Sequence, residues 1–229
     1  MQKDFLFNRF RRACISYHLT EEGDRILVAL SGGKDSLLLC DLLARQQRIL
    51  RPQIEVEAVH IVMENVPYQT DLEWLESWCN ERGVKLHVLR TRFDLHEGSK
   101  KPPYFLCSWY RRKAIFQFAE ANKYNKVALG HHQDDILITW LMNITFEGGA
   151  TAMRPLMKME HYPISVIRPL CLVPEPNIVE WAKQAGIREL PHKCPYERAS
   201  RRSDATHIFR QMEVLNPDVR SSMWHALGF

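Results

Sequence analysis

Arg25-Ile26-Leu27-Val28-Ala29-Leu30 runs into Ser31-Gly32-Gly33-Lys34-Asp35-Ser36, and Leu37, Leu38, Leu39, Leu42 and Leu43 follow at once. An apolar strand thus enters a small polar turn with two adjacent glycines, and a helix leaves it. That geometry aims the unpaired N–H groups of a helix N-terminus, with the positive end of its dipole, at one spot. Paired glycines let main chain approach an anion closely, because no Cβ intervenes. Ser31 and Ser36 add hydroxyls, Lys34 a cation, and Asp35 a metal or ribose contact. The turn reads as a cradle for nucleotide phosphates. It is neither the eight-residue P-loop nor the Gly-x-Gly-x-x-Gly dinucleotide fingerprint, since both spacings are absent. The bland alternative is a serine-capped turn whose glycines serve only the bend.

Outward from this stretch, strands and helices alternate. Strands are expected at 25–30, 54–61, 84–90, 126–129 and 164–168, and helices at 35–48, 69–82, 108–123, 133–146 and 175–185. Strands of near-continuous apolar character between helices imply a parallel sheet covered on both faces. The expected fold is α/β, a five-stranded parallel sheet of order 3-2-1-4-5. An amphipathic helix at 3–19 precedes it, and helices near 199–214 and 217–227 follow, within a single domain over 1–229. The arginines at 198, 201, 202 and 210 make the first C-terminal helix either a solvated basic face or an RNA contact. The long segment from Thr91 to Leu106 is expected to be a functional loop, because long structureless loops in compact domains usually are.

A chain of 229 residues, 45% hydrophobic and 25% charged, suits one soluble globular domain. Net charge is +4, which permits a nucleic-acid partner without requiring one. The start lacks a signal-peptide layout, and no apolar run is long enough to span a bilayer, so no membrane association and a cytoplasmic location are expected. Cys14, Cys40, Cys79 and Cys171 fall on apolar faces and read as core thiols. Cys107 and Cys194 stand in polar, proline-flanked segments instead.

The second candidate half-site is Gly130-His131-His132-Gln133-Asp134-Asp135, again opening a helix after a strand. With the order 3-2-1-4-5 the two loops face each other across the crevice where strand order reverses, the usual ligand site of open α/β sheets. Gly130, His131, Asp134 and Arg168 are therefore expected to join Ser31, Gly32, Gly33, Lys34, Asp35 and Ser36 around ATP. Asp35, Asp134 and Asp135 are candidates to hold Mg²⁺; magnesium usually takes one or two carboxylates, so one of these aspartates is expected to cap the helix instead.

Residues 31–36 resemble the pyrophosphatase loop of ATP-dependent adenylating enzymes. Together with Cys107-Ser108-Trp109-Tyr110-Arg111-Arg112, Gly130–Asp135, Arg168-Pro169-Leu170 and Cys194, they look like the tRNA 2-thiocytidine synthetase (TtcA) family of PP-loop (N-type) ATP pyrophosphatases. The resemblance covers the chain from about residue 20 onward. It implies that ATP adenylates C2 of an anticodon-loop cytidine, pyrophosphate leaves, and sulfur displaces AMP to give 2-thiocytidine. The implied catalytic residues are Lys34, Asp35, Cys107 and Cys194. The implied partners are tRNA, ATP and a sulfur donor such as a cysteine desulfurase or inorganic sulfide, with a homodimer one way to dock tRNA.

The family also holds an iron–sulfur cluster through three cysteines. This sequence departs there, reading Tyr104-x-x-Cys107 and Cys194-Pro195-Tyr196-Glu197. Two expected thiolates remain, so a cluster on Cys107 and Cys194 would need Tyr104, Glu197 or His192 to complete it. The other route is a persulfide on one cysteine, resolved by the other, with Arg111, Arg112 and Lys193 favouring thiolate. Trp109 and Tyr110 could stack on an unpaired base, with one of them expected in the core. Lys100, Lys101 and Lys113 would meet phosphate backbone. A lysidine synthetase-like tRNA ligase, which needs no cysteine, and a non-catalytic nucleotide-binding or redox-responsive protein are the alternatives.

Overall fold

The computed structural model describes residues 2–66, 70–93, 102–187 and 201–229. Its strands are β1 (Asp24–Ala29), β2 (Ile54–Met63), β3 (Lys85–Thr91), β4 (Lys126–Ala128), β5 (Leu156–Lys158) and β6 (Ser165–Ile167). Its helices are α1 (Gln2–Ser16), α2 (Lys34–Gln47), α3 (Leu72–Asn80), α4 (Pro103–Ala121), α5 (Gln133–Met142), α6 (Glu175–Gln184), α7 (Arg201–Leu215) and α8 (Val219–Ala226). A π-helical turn, Asn143–Glu147, continues α5. No described helix is long and apolar enough to cross a membrane.

The sheet runs β3-β2-β1-β4-β6-β5. Five strands are parallel in the expected order, and the 164–168 strand is β6. The correction is a sixth strand, β5, paired antiparallel to β6 through Leu156↔Ile167. Three residues behind Pro155 carry no alternation to read, so only pairing with β6 makes them a strand.

Side-chain alternation along β1 feeds two cores. Ile26 and Val28 face a layer that includes α1, α2, α3 and α6, whereas Leu27 faces α4. The core thiols behave as expected: Cys14, Cys40, Cys79 and Cys171 are buried and unpaired by disulfide. A third cluster joins Leu137 and Ile138 of α5 to Phe209 of α7 and Met223 of α8. The C-terminal helices are thereby seated against the helix that opens the second half-site.

α4 starts earlier than the sequence pattern suggests. Pro103 occupies its first turn, where a missing N–H costs nothing and φ is already helical. Cys107 therefore sits in a helix, not in a loop, and is buried against the α4 core. The expected loop residues 94–101, Lys100 and Lys101 among them, lie outside the described residues.

Candidate active site

The turn after β1 is braced by its own serines. The Ser31 amide donates to Ser36 Oγ (3.1 Å), Ser36 Oγ donates to the Gly33 carbonyl (2.9 Å), and the two hydroxyls lie 3.0 Å apart. Gly32 adopts φ +88°, open to glycine and strained for other residues. Gly33 is the N-cap of α2, and no side chain caps that turn. The first amides of α2 are therefore left to an external acceptor.

Lys34 Nζ stands 3.1 Å from Asp35 Oδ1 and 3.3 Å from Glu175 Oε1. Burial works against the ammonium charge, but the two carboxylates more than offset it and hold its pKa above the ordinary lysine value. Burial likewise raises the Asp35 carboxyl, against the opposing pull of Lys34. Asp35 Oδ1 is buried without hydrogen-bond geometry to any described group.

The second half-site is pressed onto the first. A Cβ on Gly130 would meet the Ser36 amide nitrogen at 3.0 Å and the Asp35 carbonyl carbon at 3.1 Å, so only glycine allows this approach. His132 caps α5 reciprocally: its backbone N–H donates to Asp135 Oδ2 (3.0 Å) and its Nδ1 accepts from the Asp135 amide (3.4 Å). Asp135 also pairs with Arg202. Asp134 is fully buried; Arg220 grips both its oxygens at 2.7 and 2.8 Å, and the Glu175 amide donates to Oδ2 (2.8 Å). Burial alone would raise the Asp134 pKa, yet Arg220 and the Glu175 amide bring it below the ordinary carboxylate value.

A cavity of about 1110 Å³ opens beside these loops. Ser31, His131 and Arg168 line it on one side, Cys107, Trp109 and Arg111 of α4 on another, and Met153, Met157 and Tyr162 close it. Arg111 Nη2 lies 4.0 Å from Cys107 Sγ. Arg168 is 6% exposed and follows β6, with Nη1 donating to the Arg154 carbonyl (2.6 Å) and Nε without a partner. Burial lowers its pKa from the usual arginine value. His131 Nδ1 is also buried and unpartnered, and burial, then the Arg168 charge, press this imidazole down to about 4.

Comparison with known proteins fits this geometry. A model of the PP-loop domain family matches residues 7–192. The tRNA-cytidine(32) 2-sulfurtransferase of Legionella pneumophila (strain Paris) is 32% identical over 222 residues, spanning 94% of this chain and 77% of the relative. That of Geotalea uraniireducens (strain Rf4) is 33% identical over 227 residues, spanning 96% and 89%. The chain belongs to the PP-loop family, in its tRNA-cytidine(32) 2-sulfurtransferase branch.

Among solved structures, the U34-tRNA thiolase NcsA from Methanococcus maripaludis, with its [4Fe-4S] cluster, superposes with a TM-score of 0.79. The match covers 99% of this chain and 78% of that one; at 23% identity it speaks for the shared fold alone.

Ser31, Gly32, Gly33, Lys34, Asp35 and Ser36 form one turn at the start of α2, and Gly130 abuts it. One aspartate is expected to cap the helix, and Asp135 does so. The carboxylates of Asp134 and Asp135 are engaged by Arg220, Arg202 and backbone amides, whereas that of Asp35 meets the ammonium of its neighbour Lys34. Arg202 and Arg210 are not a free basic face either, since Arg210 lies 3.6 Å from Glu175 and 2.8 Å from Glu213.

Trp109 is exposed at the cavity, and Tyr110 packs partly into the α4 core. Cys107 is the one thiol among the described residues that lines the cavity, and Tyr104 is exposed there. Cys194, His192, Lys193, Glu197 and Arg198 lie outside the described residues. Among the described residues Cys107 is the one thiol of the expected ligand set. Sequence reasoning missed Glu175 and Arg220, because nothing local ties Glu175 to Lys34, far earlier in the chain, or Arg220 to Asp134, 86 residues earlier. It also missed the Met153, Met157 and Tyr162 wall, whose only signal is the short β5 segment.

Proposed function

We propose that this chain is an ATP-dependent tRNA sulfurtransferase that converts an anticodon-loop cytidine to 2-thiocytidine. The observation that carries the reading is that the phosphate cradle and a cysteine face one cavity, Ser31 on one wall and Cys107 on the other. The amides opening α2, with Lys34 drawn from Asp35 and Glu175, hold the β- and γ-phosphates. The cytidine O2 attacks the α-phosphorus, the bond to the bridging oxygen breaks, and pyrophosphate departs with the negative charge. Asp35 would hold Mg²⁺, which would neutralise part of that charge.

Sulfur then arrives at C2. The terminal sulfur of a Cys107 persulfide, loaded by an external sulfur donor, attacks C2 and AMP leaves with the C2–O electron pair. Cys194 attacks Cys107 Sγ, the S–S bond breaks, 2-thiocytidine is released and a Cys107–Cys194 disulfide remains for an external thiol to reduce. Arg111 beside Cys107 favours the thiolate that accepts the persulfide sulfur.

The test is incubation of purified protein with ATP, Mg²⁺, a persulfide donor (a cysteine desulfurase with free cysteine), a thiol reductant and an anticodon stem-loop RNA. Nucleosides are then digested and weighed by mass spectrometry. Gain of one sulfur in cytidine, lost in Cys107→Ser while pyrophosphate release continues, is the expected result. A Cys107→Ser protein that still adds sulfur to cytidine would remove Cys107 from sulfur transfer, and a wild-type product that gains the mass of an added amino acid in place of sulfur would point to the ligase reading.

A further inference from the structure

We propose that Arg168 and His131 together read the Watson–Crick edge of the target base and select cytosine over uracil. This rests on the sulfurtransferase reading above and assigns the two residues to the base, not to the nucleotide. In that reaction C2 must meet the α-phosphate at the phosphate loop and then the sulfur near Cys107. The base therefore lies between Ser31 and Cys107, in the cavity both residues line. Arg168 and His131 face that same space.

Their chemistry is matched to one pyrimidine. Arg168 carries only donors, and its Nε is buried without a hydrogen-bond partner. A buried guanidinium left so is costly, and an acceptor-bearing ligand relieves it. His131 Nδ1 is also buried and unpartnered, and in the neutral tautomer protonated at Nε2 it is an acceptor. The low imidazole pKa, about 4, keeps that lone pair free at neutral pH. Cytosine presents acceptors at N3 and O2 and a donor at N4. Uracil presents N3–H and O4 in the corresponding places, so it would oppose donor to donor at Arg168 and acceptor to acceptor at His131.

The surrounding wall suits a flat, unpaired base more than a hydrated phosphate. Met153, Met157 and Val166 are apolar, and Tyr162 is held against Phe116 with ring centroids 5.6 Å apart. The hairpin that supplies this wall also fixes Arg168, whose backbone N–H donates to the Pro155 carbonyl at 2.8 Å.

The experiment compares two stem-loop RNAs that differ only in C or U at the target position, with wild type, Arg168→Lys and His131→Phe. Adenylation is read as RNA-dependent pyrophosphate release, and ATP affinity separately by calorimetry. Each lost edge contact is expected to lower the C-over-U ratio of kcat/KM roughly 10- to 100-fold, while ATP affinity stays within about threefold. Should one variant fail to fold, by its thermal transition, the other still decides. An unchanged ratio in a folded variant, or ATP affinity falling as far as turnover does, overturns the assignment. A wild-type protein that adenylates neither RNA defeats the sulfurtransferase reading itself; a selective wild type with unaltered variants defeats this inference alone.

Discussion

The two loops at the sheet's switch point have the same plan, a strand, a glycine, an acidic residue and a helix start, yet the fold treats them oppositely. At residues 31–36 the helix opens without a side-chain cap, and Asp35 keeps a buried oxygen without a hydrogen bond. At 130–135 the helix is capped by His132, Asp134 is closed off by Arg220, and Asp135 is paired with Arg202. One loop is left for a ligand; the other is a strut. The contrast teaches that aspartates at two helix N-termini can be held differently: Asp35 meets the ammonium of its neighbour Lys34, whereas Asp134 and Asp135 are each gripped by an arginine from a distant helix.

The largest effect should come from unsealing the strut. Arg220→Ala leaves the fully buried Asp134 charge to the Glu175 amide and to Arg210, 3.6 Å away, and removal of one partner from a buried pair typically costs about 3–5 kcal/mol. Chemical denaturation should show that loss, and Arg220→Ala with Asp134→Asn should recover part of it. A near-neutral single variant would mean that Asp134 is not held this way.

Next comes the open loop. Lys34→Met removes a charge-assisted contact to phosphate worth roughly 1.5–3 kcal/mol, a 10- to 150-fold weakening of ATP binding. Its denaturation midpoint should move little, because the lysine is only partly buried and its partners reach solvent. Unimpaired ATP binding by calorimetry would remove Lys34 from the cradle.

Gly130→Ala probes the seam between the loops. Its Cβ would press on the Ser36 amide and the Asp35 carbonyl, backbone atoms that can yield only by shifting the phosphate turn. Overpacking of this kind costs roughly 1–3 kcal/mol. ATP affinity should fall along with stability, unlike in Arg220→Ala, where stability should dominate. Equal ATP affinity in Gly130→Ala and wild type would show the two loops to be independent.

The smallest effect is a pH signature of the strut. Asp134 has a folded pKa below its ordinary value of 3.8, so it contributes stability that is present above that value and lost as pH falls through the folded one. Thermal unfolding of wild type should therefore weaken below about pH 4 more steeply than that of Asp134→Asn. Parallel profiles for the two proteins would contradict the depressed carboxylate.

What could be read from sequence was whatever is encoded in neighbours. The cradle at 31–36, the parallel order of five strands and the buried thiols at 14, 40, 79 and 171 all follow from local composition and period, which fix backbone direction and face within a few residues. By contrast, β5 exists only because β6 pairs with it, and α4 reaches Cys107 because Pro103 opens its first turn.

Tertiary structure alone decided which acids are available. Asp35, Asp134 and Asp135 are equivalent in sequence, and their fates differ because Arg220 and Arg202 arrive from helices 67 to 86 residues further on. Charge compensation acts through space over a few ångströms, and the chain order says nothing about which side chains the fold will bring that close.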